Sequence, residues 1–335
     1  MLAGLGALSA CAFLSCGRVG GNPGADASPQ AGADEQRSQT FFCFDTACSV
    51  GGLLSQELLD ALVARCLAFD DTLSRTKPTS DIGRINAADG APVFVEPETA
   101  ELVAAALRYA QESDGLFDPT IGAVTELWDF HQQVVPSEEA VARALTHVGW
   151  RGAHVDEEAC TITLDDPNAR LDLGGIAKGY VTDVLVAMMA EEGVPSAYVN
   201  LGGNVAVLGP KADGTPWGIG VRDPFDETGE ASIARVRATS GSVVTSGLYE
   251  RSFEQGGRRW WHILDPRTGW PVETNIVSAS IFAERSLDGD GLTKPLFMLD
   301  EAEALAFCEE RGLDALLVRQ DGTCLRTQGS AFELL

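Results

Sequence analysis

The spacing of apolar residues changes along this chain, and the change limits the folds that are open to it. Residues 53–73 and 99–109 carry apolar side chains at the spacing of amphipathic helices, and from residue 197 onward short strand-like runs alternate with Gly, Asp and Pro turns. Further helices are predicted at residues 138–146, 180–192 and 301–310, and strands at 153–164, 197–208, 217–222, 233–244, 260–264, 276–282 and 316–326. Because helices gather in the first half and strands in the second, we expect an α+β fold in which a helix-richer N-terminal half packs on a strand-rich C-terminal half.

The composition is that of a globular protein with a strong negative charge. Of the 335 residues, 45% are hydrophobic, which is enough for a sizeable core. The formal net charge is −25, and no run of Lys and Arg interrupts it. Nucleic acid and an anionic membrane surface would both repel such a chain, so we expect no nucleic acid among its partners. An anionic ligand would need a pocket that is locally positive or holds a metal ion.

The first forty residues have the composition of a targeting segment followed by a tether. The apolar stretch at 1–14 is shorter than the roughly 20 residues of a membrane span. Its Leu-Ser-Ala-Cys sequence has the form of a bacterial lipobox, in which Cys11 would be acylated; Cys16 is a second candidate, and an ordinary cleaved signal is the alternative. We therefore divide the chain into a lipoprotein signal at 1–16, a flexible tether at 17–40 and one folded domain at 41–335.

One segment, residues 172–180 with the sequence Asp-Leu-Gly-Gly-Ile-Ala-Lys-Gly-Tyr, has the form of an anion-binding turn. It lies where an apolar run becomes a helical pattern. Gly174 and Gly175 allow backbone N–H groups to approach a phosphate, the following helix presents its positive end, and Lys178 adds a full charge. The motif predicts a nucleotide or another phosphate ester as ligand. The structural alternative is a glycine-rich turn with a surface lysine.

Four further segments combine glycines and polar residues in a distinctive order. They are Ser-Asp-Gly-Leu-Phe-Asp-Pro-Thr at 113–120, Tyr-Val-Asn-Leu-Gly-Gly-Asn at 198–204, Thr-Ser-Gly-Leu-Tyr-Glu-Arg at 245–251 and His-Ile-Leu-Asp-Pro-Arg-Thr-Gly at 262–269. Together with the glycine motif they resemble the ApbE family, the FAD:protein FMN transferases, from about residue 42 to about residue 299. The segment at 262–269 is the most specific. The resemblance implies an ApbE-like flavin transferase fold of the α+β class, with the FAD site between the two halves.

The resemblance also implies which residues hold the diphosphate of FAD. It would lie against Gly174, Gly175, Lys178 and His262, while Tyr180 would contact a ring or donate its hydroxyl. A lone histidine is more often structural than functional. Here it stands at the head of the most specific segment, so we expect His262 to donate to a phosphate oxygen or to transfer a proton near neutral pH.

The flavin ring, in the same resemblance, would lie against Leu116, Phe117 and Asp118. A carboxylate or backbone group at this place can bind the edge of an isoalloxazine, and an Asp-Pro turn that ends a helix is the structural alternative for Asp118. Two positions depart from the family. Thr76 stands where an aromatic residue often stacks on the flavin, which predicts weaker binding or stacking from elsewhere. Asn204 stands where many members carry aspartate.

A third departure concerns the metal ligands. The resemblance implies Mg²⁺ bound by the carbonyl of Ala177, by Asp290 and by a threonine four residues later, but that position holds Lys294. An ammonium group cannot be an oxygen ligand. Thr293 lies about 100° away around a helix, although Pro295 disfavours helical geometry before it and leaves open that Thr293 reaches the site. Lys294 is predicted either to take over part of the metal's charge or to form an exposed ion pair with Asp290.

The activity that the resemblance implies is transfer of FMN from FAD to a protein. The diphosphate of FAD is cleaved, FMN joins a Thr or Ser of a target flavoprotein through a phosphoester, and AMP is released. His262 and Asp290 are the candidate bases. Two alternatives stay open: an FAD pyrophosphatase that yields free FMN and AMP, and a lipoprotein that binds FAD without turnover. The expected partners are extracytoplasmic flavoproteins of electron-transfer complexes, at a bacterial cell membrane to which the protein is lipid-anchored on its outer side.

Overall fold

The structure is a computed structural model and describes residues 35–335 of the chain. The helices are α1 (Gln56–Thr72), α2 (Asp81–Asn86), α3 (Pro97–Glu112), α4 (Gly122–Thr125), α5 (Glu138–Leu145), α6 (Ala177–Glu191), α7 (Ser286–Thr293) and α8 (Glu301–Glu309). The strands are β1 (Glu35–Cys43), β2 (Thr46–Leu54), β3 (Val93–Phe94), β4 (Ala153–Asp156), β5 (Thr161–Leu164), β6 (Ala197–Leu201), β7 (Asn204–Leu208), β8 (Trp217–Arg222), β9 (Ser232–Ala238), β10 (Ser240–Gly247), β11 (Ser252–Gln255), β12 (Arg258–Trp261), β13 (Ile276–Ala283), β14 (Asp314–Arg319), β15 (Cys324–Arg326) and β16 (Glu333–Leu334). Within this part of the chain no helix is both long and apolar enough to cross a membrane.

Eight strands form one antiparallel sheet in the order β1-β2-β6-β7-β10-β13-β14-β15. The hairpin of β1 and β2 pairs with β6, so strands from the beginning of the chain join the same sheet as strands from its end. The predicted α+β class is confirmed. The first half is richer in helix and the second richer in strand, as expected, and the two halves are joined because both contribute strands to this sheet.

The boundary of the folded domain lies earlier than the sequence predicted. β1 begins at Glu35, and all nine of its residues pair with β2. Residues 35–40, which we assigned to the tether, therefore belong to the sheet. The predicted signal at 1–16 and the remainder of the tether lie outside the described residues.

The large sheet is covered on both faces. On one face, α1, α3, α6 and α7 close a core that includes the fully buried Leu62 and Leu185. On the other face, Val207 and Val243 pack against Trp217 and Phe332 of a small sheet with the order β16-β9-β8 and its flanking residues. Because the sheet is covered on both faces, the residues of β13 and β14 are almost continuously buried and do not alternate between buried and exposed.

A third apolar cluster supports the mouth of the molecule's main cavity. Trp128 and Trp260 meet there with ring centroids 5.6 Å apart, and Trp270 packs on both rings. The hairpin of β11 and β12 carries Trp260 and leads directly into residues 262–269. Aromatic packing thus fixes the position of the most specific sequence segment relative to the loop before α5.

Candidate active site

A cavity of about 900 Å³ lies at one end of the large sheet and is lined by residues from both halves of the chain. Most residues that the sequence predicted for FAD or metal binding line it: Thr76, Leu116, Phe117, Asp118, Gly174, Gly175, Ala177, Lys178, His262, Asp290 and Lys294. Tyr180 and Thr293 do not. The cavity is of the size that ligand sites of proteins commonly have, about 300–1,000 Å³.

The glycine turn forms one side of the cavity floor. Asp172 organises it, because one carboxylate oxygen accepts a hydrogen bond from the Gly174 N–H at 2.9 Å and the other pairs with Arg75 at 3.2 Å. The N–H of Gly175 makes no hydrogen bond within residues 35–335. A Cβ at Gly175 would lie 3.2 Å from the ring of Phe117, so glycine leaves a narrow space there. The turn therefore offers one free N–H and a close approach to its backbone.

The first turn of α6 places the charged side chain of Lys178 on the cavity and is hydrogen-bonded to α7. α6 begins at Ala177, three residues before the predicted start, and Lys178 follows on the cavity side. The N–H of Gly179, one of the donors that a helix start leaves unpaired, donates to Asp290 Oδ2 at 2.8 Å. A Cβ at Gly179 would lie 2.7 Å from the Cβ of Asp290. Glycine thus allows α7 to come close enough for Asp290 to cap α6.

Asp290 lies between two lysines in the cavity floor. Its side chain is 1% exposed, Lys294 Nζ donates to Oδ1 at 2.5 Å and to the Asp290 carbonyl at 2.9 Å, and Lys178 Nζ lies 4.0 Å from Oδ2. Burial alone would raise the pKa of this carboxyl, but the two ammonium groups hold the pKa below its ordinary value. Asp290 is therefore ionised at neutral pH and fully occupied by donors, which makes it a poor proton acceptor.

The backbone at Lys294 is helical, contrary to expectation. Its φ and ψ are −65° and −44°, and Pro295 starts a short 3-10 helix instead of distorting the residue before it. The i,i+4 spacing from Asp290 is kept, so the predicted ion pair forms. It is buried, however, since the side chain of Lys294 is only 18% exposed. The prediction of an exposed surface pair is wrong.

The described residues do not fit the Mg²⁺ that the family resemblance implies. Mg²⁺ takes about six oxygen ligands in near-octahedral geometry, whereas both oxygens of Asp290 already face N–H or ammonium donors. Thr293 is no substitute, because its hydroxyl lies 2.9 Å from the Ser246 hydroxyl, fully buried and away from the cavity lining. Among residues 35–335 no three His, Cys, Asp or Glu side chains cluster to hold a metal. The metal set with Ala177, Asp290 and Thr293 is thus not assembled.

His262 faces the cavity from the opposite wall. Its backbone N–H donates to the Arg251 carbonyl, while its Nδ1 atom is buried and has no hydrogen-bond partner in the part of the chain that the structure describes. Burial, together with the positive charges of Arg251, Lys294 and Lys178, lowers the pKa of this imidazole to about 3. His262 is therefore neutral and retains an unused ring nitrogen, which is unusual for a structural histidine.

Glu250, in the segment at 245–251, is a residue of the cavity wall. Although Glu250 and Arg251 are neighbours of opposite charge, Arg251 pairs with Asp45, at 3.2 Å. The Glu250 side chain makes no hydrogen bond or salt bridge within residues 35–335. Desolvation raises its pKa, although Lys178, Lys294 and Arg251 act in the opposite direction. The charges that act on Glu250 come mostly from residues distant in sequence, Lys178, Lys294 and Asp290 among them.

The predicted flavin-contact residues divide into two groups. Phe117 and Leu116 present apolar surface to the cavity. Asp118 also lines it, but its carboxylate accepts hydrogen bonds from Thr120 N and Thr120 Oγ1 in its own turn and from the more distant Trp150 N. The carboxylate of Asp118 is therefore used for local structure, as the structural alternative predicts. Only the surface that this residue presents to the cavity remains available to a ligand.

Three other predicted positions have clear outcomes. Tyr180 is 4% exposed and donates its hydroxyl to Glu101 at 2.7 Å, so the prediction that it contacts the ligand is wrong. Thr76 does line the cavity, and Trp128 and Phe130, which sequence reasoning missed, provide aromatic surface there. The aromatic run at 127–131 was the signal that was available for them. Asn204 lines the cavity with a buried Nδ2 that has no partner among the described residues.

Comparisons with known proteins show which family this chain resembles. The family model described as the ApbE family matches residues 44–317. An FAD:protein FMN transferase of Treponema pallidum (strain Nichols) is 38% identical over 266 residues, covering 74% of this chain and 73% of that protein. One of Klebsiella pneumoniae (strain 342) is 36% identical, covering 76% and 79%. The crystal structure of the ApbE protein from Thermotoga maritima superposes with a TM-score of 0.81 at 31% identity, covering 88% of this chain and 97% of that one. A family model that spans most of the described residues, close relatives over three quarters of the chain and a common fold show that this protein belongs to the ApbE family.

Proposed function

We propose that this protein is an FAD:protein FMN transferase. The observation that carries the proposal is the cavity itself, in which the cationic floor of Lys178 and Lys294 meets an aromatic wall that includes Phe117 and Trp128. A dinucleotide that joins two phosphates to a flat ring system matches this pairing of charge and apolar surface. The names of the relatives in Treponema and Klebsiella support the same activity.

The reaction needs charge stabilisation at the diphosphate more than covalent chemistry by the protein. A Thr or Ser hydroxyl of the acceptor attacks the phosphorus atom on the FMN side, a new P–O bond forms, and the bond from that phosphorus to the bridging oxygen breaks. AMP leaves with the bonding electron pair, and the hydroxyl proton passes to a base. Lys178, Lys294 and the free N–H of Gly175 lie where they can stabilise the added negative charge of the transition state.

Two cavity groups can accept the hydroxyl proton. His262 is neutral and has an unused ring nitrogen, and the Glu250 carboxyl faces the cavity with a raised pKa. Asp290, the other candidate from sequence, is less suitable because its oxygens are engaged by Gly179 and two lysines. We therefore assign the base to His262 or Glu250, and we assign Asp290 to positioning the lysines and α6.

The decisive experiment is to detect the product on a protein. The purified enzyme is incubated with FAD and exported flavoproteins of electron-transfer complexes from the same bacterium, and tryptic peptides are searched by mass spectrometry for FMN on Thr or Ser. We expect a covalent adduct and an equimolar amount of AMP, and no adduct when FMN replaces FAD, because FMN lacks the diphosphate. AMP with free FMN and no adduct would identify a pyrophosphatase, and bound FAD without AMP would identify a protein that only binds the flavin.

We further propose that the protein acts outside the cytoplasm, held to the membrane by a lipid on Cys11. The Leu-Ser-Ala-Cys sequence supports this, and the extracytoplasmic flavoproteins that we propose as partners would then be within reach. Cell fractionation of the wild type and of Cys11→Ser tests it. We expect the wild type in the membrane fraction and the variant released from it; a wild type recovered in the cytoplasm would contradict the proposal.

A further inference from the structure

We propose that Lys294 acts as a built-in cation for the FAD diphosphate and takes the place of a divalent metal ion in this protein. The inference rests on the proposed function and specifies how the same site neutralises its substrate. The family resemblance implies a metal ion bound to Asp290, but the described residues do not form a metal site there. The floor instead holds an ammonium group at this position.

The ammonium group of Lys294 is held in place and is not fully used. It donates to the side chain and to the carbonyl of Asp290, at 2.5 and 2.9 Å. An ammonium group has three N–H donors, so one remains. Lys294 lines the cavity, and its Cε lies 3.8 Å from where a Cβ of Gly175 would stand. The remaining donor is thus positioned beside the glycine turn that would receive the phosphates.

The charges around Lys294 favour an anion and disfavour a second cation. Lys178 and Arg251 add positive charge to the floor and wall, while the negative groups that face it are Asp290 and Glu250. A divalent ion bound to Asp290 Oδ1 would share that oxygen with the ammonium of Lys294. Like charges at such a distance repel strongly in a partly buried site. A diphosphate, in contrast, would meet three fixed positive groups.

A purely structural role is the competing explanation, in which Lys294 only neutralises the buried Asp290. The two explanations differ in what they predict for ligand binding. If Lys294 is only structural, other groups decide whether FAD binding depends on a metal ion. If Lys294 is a built-in cation, the wild type binds FAD independently of metal. Replacing Lys294 by threonine would also restore the family's hydroxyl at the place four residues after Asp290.

The experiment measures FAD dissociation constants by quenching of flavin fluorescence, in EDTA and in excess Mg²⁺. The proteins are the wild type, Lys294→Thr, Lys294→Met and, as a matched control, Lys211→Thr, which lies outside the cavity. Mg²⁺ binding without FAD is measured in parallel by calorimetry. The wild-type arm needs no variant to fold, so a destabilising effect of either Lys294 substitution leaves the comparison between EDTA and Mg²⁺ intact.

We expect the wild type and Lys211→Thr to bind FAD with nearly equal affinity in both buffers and to show no Mg²⁺ binding. Lys294→Met should lose about tenfold or more in affinity in both, because a charged hydrogen bond is missing. Lys294→Thr should lose as much in EDTA and regain affinity with Mg²⁺. Wild-type binding that requires Mg²⁺, or unchanged affinity of Lys294→Met in EDTA, would overturn the inference alone. A wild type that binds no FAD in either buffer would overturn the proposed function as well.

Discussion

Among single residues, Asp290 has the most consequences for the site. Its carboxylate caps α6 through the Gly179 N–H, holds Lys294 by a hydrogen bond and attracts Lys178. Burying one carboxylate without partners would cost several kcal/mol, but two hydrogen-bond donors and the nearby ammonium group of Lys178 offset this cost. The same arrangement fixes two ammonium groups at the edge of the cavity. A single buried side chain thereby determines where the positive charge of the site lies.

Reversing the charge of Lys178 should weaken FAD binding. Lys178→Glu would place a carboxylate against two phosphates, and the loss is at least roughly a few kcal/mol in a partly buried site, which is about 100-fold in affinity. Lys211→Glu, with the same change outside the cavity, should have little effect. Titration of flavin fluorescence measures both, and an unchanged dissociation constant for Lys178→Glu would contradict the placement of the diphosphate.

The lowered pKa of His262 predicts how stability depends on pH. The pKa is about 3 in the folded protein and 6.5 ordinarily, so between these values the unfolded chain binds a proton that the folded protein does not. The stabilising contribution is present above pH 6.5 and is lost as the pH falls toward 3. As the pH is lowered through this range, the free energy of unfolding of His262→Gln should fall less steeply than that of the wild type. The two slopes should differ by at most about 1.4 kcal/mol per pH unit. Denaturant melts at several pH values test this; parallel curves for the two proteins would refute it.

Among the elements, α7 is one that sequence periodicity did not reveal, as are α2 and α4. It has the sequence Ser-Leu-Asp-Gly-Asp-Gly-Leu-Thr, and its two glycines are poor helix formers. A Cβ at Gly291 would lie 2.7 Å from the ring of Tyr109, and one at Gly289 would lie 2.7 Å from Val244. The glycines therefore let a buried helix approach its neighbours closely. Tertiary packing, and not intrinsic propensity, stabilises α7.

The close contact of α6 with α7 should be sensitive to one methyl group. In Gly179→Ala the new Cβ would lie 2.7 Å from the Asp290 Cβ and from the Ser286 carbonyl oxygen, so the helices must separate. We expect a loss of about 1–3 kcal/mol in the free energy of unfolding. Gly218→Ala, on the open face of β8 with nothing within 4 Å, is the control and should change stability by less than about 0.5 kcal/mol. Urea denaturation compares them, and equal midpoints would show that the contact is not tight.

At the scale of the whole molecule, the large sheet joins two apolar cores. Leu185 belongs to the core under α6, and Phe332 belongs to the core under the small sheet, near the end of the chain. Both cores use side chains of the same strands, β13 and β14 among them. Neither core can lose its packing without exposing one face of that sheet. The described part of the chain should therefore behave as one cooperative unit.

Truncation in either core should shift one common unfolding transition. Leu185→Ala should cost about 2–5 kcal/mol and Phe332→Ala about 3–5 kcal/mol, because each leaves a cavity in a fully packed environment. Calorimetry and tryptophan fluorescence should report the same lowered midpoint for each variant. Two separate transitions, with one variant affecting only one of them, would show that the cores unfold independently.

The sequence by itself determined the features that are encoded locally. Helical and strand periodicity predicted the α+β class and most elements, since each pattern is contained within ten to twenty residues of the sequence. The glycine motif predicted the turn, and the resemblance of the block at 262–269 to the ApbE family led us to expect His262 at the site. These signals suffice because backbone conformation at a glycine, or the apolar face of a helix, depends mainly on neighbouring residues.

The tertiary structure decided which of these residues meet. Gly179 and Asp290 are 111 positions apart, and only the packing of α6 on α7 joins them. Tyr180 is next to Gly179 in sequence, yet its side chain turns into the core toward Glu101. Glu250 faces the cavity, while its neighbour Arg251 pairs with Asp45 from the β1–β2 turn. Charge, burial and hydrogen-bond partners depend on residues that are distant along the chain, so no local pattern specifies them.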